Sequence, residues 1–255
     1  MLADLHTWLT TASAGLLDGY LYPFILQGML LTIELALLSL LLAVGLGILG
    51  ALARLSRSPI ARGIATGYTT LIRGVPDIVL MFIFFYGGQL LVNDLGARLA
   101  ALGETWSLPF AVGWDYVEIS EFTAGVFTIG LIFGAYMAET FRGAILAVPR
   151  GEIEAGHAYG MTPFQVFTRI TLPASVRHAI PGFGNNWLVL AKATALVSVI
   201  GLDDMVFRAG QAGGSTRQPF TFYLVVAVLY LLITAVSDVV LRHLDRRYSV
   251  GVRRA

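Results

Sequence analysis

The chain has 255 residues, of which 56% are hydrophobic and only 13% are charged, so its composition favours a polytopic membrane protein. It contains no cysteine, which excludes disulfides, thiolate catalysis and metal or redox sites built on cysteine. The four histidines lack metal-ligand spacing, and no Gly-x4-Gly-Lys-Ser/Thr phosphate loop is present, so neither a metal site nor ATP binding of that kind is predicted. The formal net charge of +1 says little about the orientation in the membrane, because the distribution of charge along the chain matters more than the total.

The first twenty residues do not have the features of a cleaved signal peptide. They lack a basic start and carry Asp4 and Asp18. Apolar residues recur at helical spacing between Leu2 and Ala12, which predicts a short helix. That helix either lies in the membrane interface or packs as an ordinary element.

Five apolar runs approach the length of about 20 residues that a membrane-spanning helix needs. They cover roughly 24–52, 63–91, 121–146, 178–200 and 220–242. The second contains "IRGVPD", where Pro76 removes a backbone donor and disfavours helical geometry at Val75, so a break or kink is predicted near Gly74. The fourth is weaker, because two asparagines and Lys192 lie inside it.

The distribution of arginine predicts the orientation. With five spanning helices, one side of the membrane receives Arg54, Arg57, Arg62, Arg142, Arg150, Arg169, Arg177, Arg242, Arg246, Arg247, Arg253 and Arg254. The other side receives Arg98, Arg208 and Arg217, together with an acidic connection over residues 93–120. The positive-inside rule then places the N-terminus in the periplasm and the C-terminus in the cytoplasm.

A polar segment, residues 149–173, separates the third and fourth runs and falls on the cytoplasmic side in this topology. Local signals predict two short helices. The first starts after Pro149 and ends at Gly160, and the second opens with the capping sequence "TPFQ" and stops at Leu172-Pro173. Small residues at positions 155, 156 and 158 leave the first helix thin on one side, which suits a helix laid into a partner's groove. A hairpin packed only against its own chain is the alternative.

The polar segment resembles the cytoplasmic signature of permease subunits in bacterial ABC importers, Glu-Ala-Ala-x3-Gly-x9-Ile-x-Leu-Pro. The matching residues are Glu154, Ala155, Gly160, Ile170, Leu172 and Pro173, with Gly156 standing where the family usually has alanine. The resemblance implies that the segment couples the chain to a separate ATPase subunit and transmits that subunit's closure to the membrane helices.

The resemblance continues along most of the chain, outside the connection at 93–120. Stretches such as "YTTLIRGVPDIVLMFIFFYGGQ", "GAYMAETFRGAILAVPRG" and "GNNWLVLAKATALVSVIGLDD" look like permeases for polar amino acids. They are most similar to the Q-type (HisQ-like) subunits of histidine/lysine/arginine/ornithine importers, and nearly as similar to opine permeases.

Several expectations follow from this resemblance. The fold is an all-α, five-helix type I importer permease in the bacterial inner membrane, with residues 1–255 forming one domain and a membrane core at about 24–243. The chain moves basic amino acids, with opines or other polar amino acids as the alternative, and is not itself an enzyme. It binds no cofactor, since ATP and Mg are held by a pair of partner ATPase subunits. A second permease subunit, often a paralogue, and a periplasmic binding protein complete the assembly.

Ionisable residues at membrane depth are costly and usually face a cavity or a partner. The candidates for a substrate path are Glu34, Arg73, Asp77, Glu139 and Lys192, with Asn186 and Thr194 as hydrogen-bonding groups. A cationic substrate side chain would be attracted by Asp77 or Glu139, and an α-carboxylate by Arg73 or Lys192. The alternative is structural: Glu139 pairs with Arg142 or Arg73, and the polar residues join helices.

Other classes of function fit the sequence less well. A self-sufficient ion-coupled transporter is disfavoured by the short chain and by the absence of a detectable inverted repeat. A membrane-embedded enzyme lacks any suitable set of serine, histidine and acid. The helix-turn-helix look of residues 152–171 does not suit DNA binding, because both flanks are held at the membrane.

Overall fold

The computed structural model describes residue 20, residues 24–105 and residues 116–248. Within these ranges every regular element is a helix, as predicted for an all-α membrane protein. The N-terminal helix predicted between Leu2 and Ala12 lies outside the described residues.

The helices follow one another with short connections. In chain order they are α1 (Leu26–Leu55), α2 (Pro59–Gly74), α3 (Asp77–Phe82), α4 (Gly88–Thr105), α5 (Glu121–Leu146), α6 (Arg150–Ala158), α7 (Pro163–Val166), α8 (Leu172–Ala193), α9 (Met205–Thr216) and α10 (Pro219–Tyr248). π-helical turns at Ile83–Gly87 and Phe167–Thr171 join α3 to α4 and α7 to α8, and a 3-10 stretch at Thr194–Ile200 extends α8.

Among the residues that the structure describes, five helical stretches are long and apolar enough to cross a membrane, which confirms the predicted number. They are Leu26–Leu55, Asp77–Leu102, Glu121–Leu146, Pro163–Ile200 and Pro219–Tyr248. Each supplies its own backbone hydrogen bonds, as the hydrocarbon interior requires.

The second of these helices differs from its prediction. The break occurs where expected, since Val75 and Pro76 are extended with ψ angles of 138° and 136°. The prediction of a single spanning helix over 63–91 is wrong, because α2 ends at the break and the spanning helix is Asp77–Leu102. Pro76 has no N–H to continue α2 and disfavours helix at Val75, so a new helix starts after it.

The core is built on close contact between α1 and α5. A Cβ atom on Gly130 would lie 2.5 Å from the Leu42 side chain, and one on Gly134 would lie 2.8 Å from Cβ of Leu46. At this glycine pair, four residues apart, α1 and α5 therefore pack closely. Gly63 and Gly67 of α2 show the same spacing, but a Cβ built on either has no atom of the described residues within 4 Å, so they do not pack this way against that part of the chain.

Side-chain amides order the chain that leads into α5. Asn93 of α4 donates to the Val117 carbonyl at 2.9 Å and accepts from its N–H at 2.9 Å. Gln89 accepts from the N–H of Ile119 at 2.7 Å. These bonds satisfy backbone groups that have no helical partner, so the end of the 93–120 connection is held against α4.

Candidate functional site

The polar segment begins with a well-defined helix and turn. Helix α6 ends at Ala158 with Tyr159 as its C-cap, and Gly160 follows with a φ angle of +77°, a left-handed conformation that glycine adopts without strain. The Gly160 N–H donates to the His157 carbonyl at 2.9 Å, and Met161 donates to Gly156 at 3.1 Å. The predicted helix end at Gly160 is confirmed.

Helix α7 opens with the predicted capping box. The Thr162 hydroxyl accepts from the Gln165 N–H at 3.3 Å, and the Gln165 side chain accepts from the Thr162 N–H at 2.9 Å. Pro163 occupies the first turn, where its missing N–H is not needed. The turn between α6 and α7 is therefore fixed at both ends by local hydrogen bonds.

The prediction that Leu172-Pro173 stops the second helix is wrong. The chain continues through the π-helical turn Phe167–Thr171 into α8, and the Leu172 N–H donates to Phe167, five residues back. In a regular α-helix the ring of Pro173 would collide with the carbonyl four residues earlier. The wider π-helical turn just before it accommodates the proline, so the polar segment joins the fourth spanning helix without a break.

This continuous helix, Pro163–Ile200, is longer than a membrane is thick. It has 38 residues and is about 57 Å long at 1.5 Å per residue, against about 30 Å of hydrocarbon. The predicted span at 178–200 is its apolar half. The part that precedes it carries Arg169 and Arg177 and projects beyond that apolar half.

The two helices of the polar segment meet at a seam formed by Gly156, Val166 and Ile170. A Cβ on Gly156 would lie 2.6 Å from Cδ1 of Ile170 and 3.1 Å from Cγ2 of Val166. The interpretation of Gly156 as part of a thin face open to a partner is wrong, because its own chain covers it. Ala155 and Ala158 remain exposed on the outside.

The other residues of the signature divide between the seam and the surface. Gly156 is buried and Ile170 is half-buried, whereas Glu154, Ala155 and Gly160 are exposed. Leu172 and Pro173 are also exposed, and Leu172 lines an apolar groove of about 400 Å3 with Leu52, Phe141 and Val176.

The break in the second membrane helix borders a polar cavity. This cavity, about 490 Å3 in volume, is lined by Arg54, Thr69, Thr70, Arg73, Gly74, Tyr136 and Glu139. The break leaves the last carbonyls of α2 and the first N–H groups of α3 without helical partners, and Asp77 opens α3 there. Three predicted path residues, Arg73, Asp77 and Glu139, thus lie at the cavity or at the break beside it.

An ion-pair cluster of Arg54, Glu139 and Arg142 lies at this cavity, and Arg54 and Glu139 line its wall. Arg142 donates to one Glu139 oxygen from Nε and Nη2, at 3.2 and 3.0 Å, and Arg54 pairs with the other. The predicted Glu139–Arg142 pair is confirmed. Arg73 does not join it, since its guanidinium lies 5.3 Å from the Tyr136 ring centre. Two guanidinium groups pair with the one carboxylate and Arg73 adds a further positive charge to the lining, so the cavity is electropositive.

Arg54 is the member of this cluster that sequence reasoning did not select as a site residue. Its Nη1 also donates to the Thr69 hydroxyl at 3.2 Å, so it joins α1, α2 and α5. As the basic residue in the last turn of α1 it was counted only as a flanking charge. The sequence shows that Arg54 lies at the end of an apolar run, but it does not indicate which acid it meets.

The remaining predicted path residues lie elsewhere. Glu34 and Lys192 are exposed and do not line the cavity. Asn186 donates to the Thr140 hydroxyl at 2.9 Å, joining α8 to α5. Thr194 is fully buried and donates to the Ala191 carbonyl at 2.8 Å. The structure thus places Asn186 and Thr194 in helix packing.

A buried carboxyl group lies at the other end of the bundle, at the start of α9. One oxygen of Asp204 accepts from the N–H groups of Val206 and Phe207 at 3.1 and 2.8 Å, and the other is buried without a hydrogen-bond partner. Burial raises the pKa of this carboxyl to about 6, although the two backbone bonds oppose the shift. Gly28 of α1 lies against the same turn.

Comparison with known proteins identifies the family. The family described as "Binding-protein-dependent transport system inner membrane component" matches residues 43–250. The chain is 51% identical over 238 residues to the histidine/lysine/arginine/ornithine transport system permease protein HisQ of Salmonella typhimurium, covering 92% of this chain and 99% of that protein. It is 40% identical over 237 residues to the octopine transport system permease protein OccQ of Rhizobium radiobacter, covering 93% and 94%.

The fold has a solved counterpart. A chain from the crystal structure of an amino acid ABC transporter with histidines superposes with a TM-score of 0.73 at 27% identity, covering 88% of this chain and 94% of that chain. A chain of the MetNI methionine ABC transporter shares the fold at a TM-score of 0.59. The five apolar helices, the family match and the identity to HisQ lead to one conclusion: the chain is a multi-pass membrane protein that belongs to the inner-membrane components of binding-protein-dependent transport systems.

Proposed function

We propose that the chain is the transmembrane subunit of an ATP-driven importer and forms half of the path by which histidine, arginine, lysine and ornithine cross the inner membrane. The observation that carries this proposal is 51% identity across 92% of the chain to a permease protein of a histidine/lysine/arginine/ornithine transport system. Octopine permeases, at 40% identity, support the opine alternative less well.

In this proposal the chain hydrolyses nothing itself. ATP and Mg are bound by two partner ATPase subunits, a periplasmic protein delivers the amino acid, and a second permease subunit completes the path. The arginine distribution supports an orientation with the N-terminus in the periplasm and with the polar segment and the end of α10 in the cytoplasm.

The polar segment is the proposed docking site for an ATPase subunit. Its capped turn and its seam make it a rigid projection, so little conformational entropy is lost when it binds. Glu154, Ala155 and Gly160 lie on the exposed side, while Gly156 and Ile170 hold the two helices together. Leu172 and Pro173 join this projection to α8, so a displacement of the segment moves the fourth membrane helix with it.

The cavity beside the helix break is the proposed site of substrate passage. A basic amino acid carries a cationic side chain and a carboxylate, and Asp77 and Arg73 offer the opposite charges on the two sides of the break. At 4 Å and an effective dielectric constant of 20, each such pair is worth about 4 kcal/mol before desolvation. Glu139 supports the path by holding the electropositive wall in place.

The decisive experiment measures ATP hydrolysis by the complete complex in lipid nanodiscs, with the binding protein and a panel of arginine, lysine, histidine, ornithine, glutamine and octopine. We expect the basic amino acids to stimulate hydrolysis and glutamine to be inactive. Stimulation by octopine alone would favour the opine alternative. Uptake driven by a proton or sodium gradient without any ATPase would refute the proposal.

A second experiment tests the docking segment. Replacing Glu154 or Gly160 with a bulky residue leaves membrane insertion and permease pairing intact, because both are exposed. We expect these variants to separate ATP hydrolysis from uptake in proteoliposomes. Normal transport by both variants would show that the polar segment is merely structural.

A further inference from the structure

Two large aromatic side chains project from the turn of the polar segment. Tyr159, at the end of α6, is 87% exposed, and Phe164, in the first turn of α7, is 75% exposed. They flank Gly160 and the capping box, five residues apart in the chain. Exposed aromatic groups of this size, fixed on a rigid turn, are typical of residues that become buried in a protein interface.

Lipid does not account for this exposure. About sixteen residues of continuous helix, or about 24 Å, separate Phe164 from the apolar half of the helix that starts near Ile180. Exposed acidic residues, Glu152 and Glu154, lie on the helix that ends at Tyr159. The anionic surface of a cytoplasmic leaflet would repel these carboxylates.

The turn that holds the two rings is preorganised. Gly160 takes its left-handed conformation, the Thr162–Gln165 capping box fixes the start of α7, and the Gly156 seam locks the helices to each other. Because neither ring depends on a flexible loop for its position, burial of the rings costs little ordering entropy.

We infer that Tyr159 and Phe164 are the apolar anchors that the ATPase subunit buries when it grips the polar segment. The partner surface is then an apolar cleft that takes both rings, with a basic rim facing Glu152 and Glu154. This inference rests on the proposed function. It moves the main contact from the glycine-containing seam, which faces its own chain, to the two exposed aromatic rings.

The test compares alanine variants of the full chain, paired with its partner permease in nanodiscs, by titration with the purified ATPase subunit. We expect Tyr159→Ala and Phe164→Ala each to weaken binding about tenfold or more, as the loss of an interface anchor does. Phe220→Ala is the matched control, because Phe220 is 72% exposed at the start of α10, at the opposite end of the bundle, and its removal leaves affinity unchanged. Equal thermal stability of all variants establishes that they fold.

The outcomes separate the inference from the proposed function. Wild-type affinity in both aromatic variants would overturn the inference and leave the proposed function standing. Failure of the wild-type chain to bind the ATPase subunit would overturn the proposed function itself. Since the chain has no native cysteine, a fluorophore on His157→Cys reports the surroundings of the turn. A blue shift on adding the ATPase subunit is expected, whereas one caused by phosphatidylglycerol vesicles alone would mean that the turn inserts into lipid and would overturn the inference.

Discussion

Gly67 of α2 and Gly130 of α5 each belong to a pair of glycines four residues apart, but we expect an added methyl group to have opposite effects on stability at the two positions. In Gly130→Ala the new Cβ would lie 2.5, 2.8 and 2.9 Å from Cδ2, Cγ and Cβ of Leu42. Ordinary contact begins near 3.4 Å, and Leu42 Cβ is fixed to the α1 backbone, so α1 and α5 must separate. Overpacking of this kind costs about 1–3 kcal/mol. In Gly67→Ala the methyl group meets nothing within 4 Å, and replacing glycine inside a helix gains about 0.5–1 kcal/mol.

The assay is thermal unfolding of the purified single chain in detergent, followed by circular dichroism, for the two variants and the wild type. We expect the melting temperature of Gly130→Ala to fall by several degrees and that of Gly67→Ala to stay level or rise slightly. Equal losses in the two variants would refute the assignment of the tight contact to α1 and α5, and so would an unchanged Gly130→Ala.

Three further predictions concern the sites themselves. Gly156→Val should force Ile170 out of the seam and so lower the affinity for the ATPase subunit, while the membrane helices keep their stability. Pull-down measures the affinity and melting curves measure the stability. Unchanged affinity would contradict the role given to the seam. Glu139→Gln should leave Arg54 and Arg142 without their carboxylate and impair uptake of arginine, whereas Arg142→Lys, which keeps the charge, should retain most of it in proteoliposome transport. Because burial raises the pKa of Asp204 to about 6, above its value of 3.8 in an unfolded chain, the native state binds the extra proton between those values. Stability therefore rises by up to about 3 kcal/mol as the pH falls through this window. Asp204→Asn, which keeps the helix cap, should remove this dependence, and a persisting slope in that variant would assign it to another group.

Much of the fold was predictable because the bilayer limits the choices. An apolar run of sufficient length must be a helix in hydrocarbon, and Pro76 disfavours helix at Val75, so the number of spans and the break near Gly74 were predictable and are confirmed. The capping box was equally readable, since it depends only on residues within a single turn.

What sequence reasoning missed depends on contacts between distant residues. The passage of the helix through Leu172-Pro173 requires a π-helical turn, which the local sequence does not announce. The role of Gly156 depends on Ile170, on the neighbouring helix of the polar segment. The Arg54–Glu139 pair joins residues far apart in the chain, and a single sequence gives no signal that they meet.

The π-helical turn at Phe167–Thr171 also sets the angle by which α6 and α7 are rotated about the axis of α8. Such a turn amounts to one extra residue in an otherwise regular helix, and each residue of an α-helix advances the direction of its side chains by about 100°. Deleting one residue there would let both flanking helices fold as before yet rotate α6 and α7 by about a quarter turn around the α8 axis. The direction in which the polar segment faces is therefore set by the length of these five residues, independently of the side chains that the segment exposes.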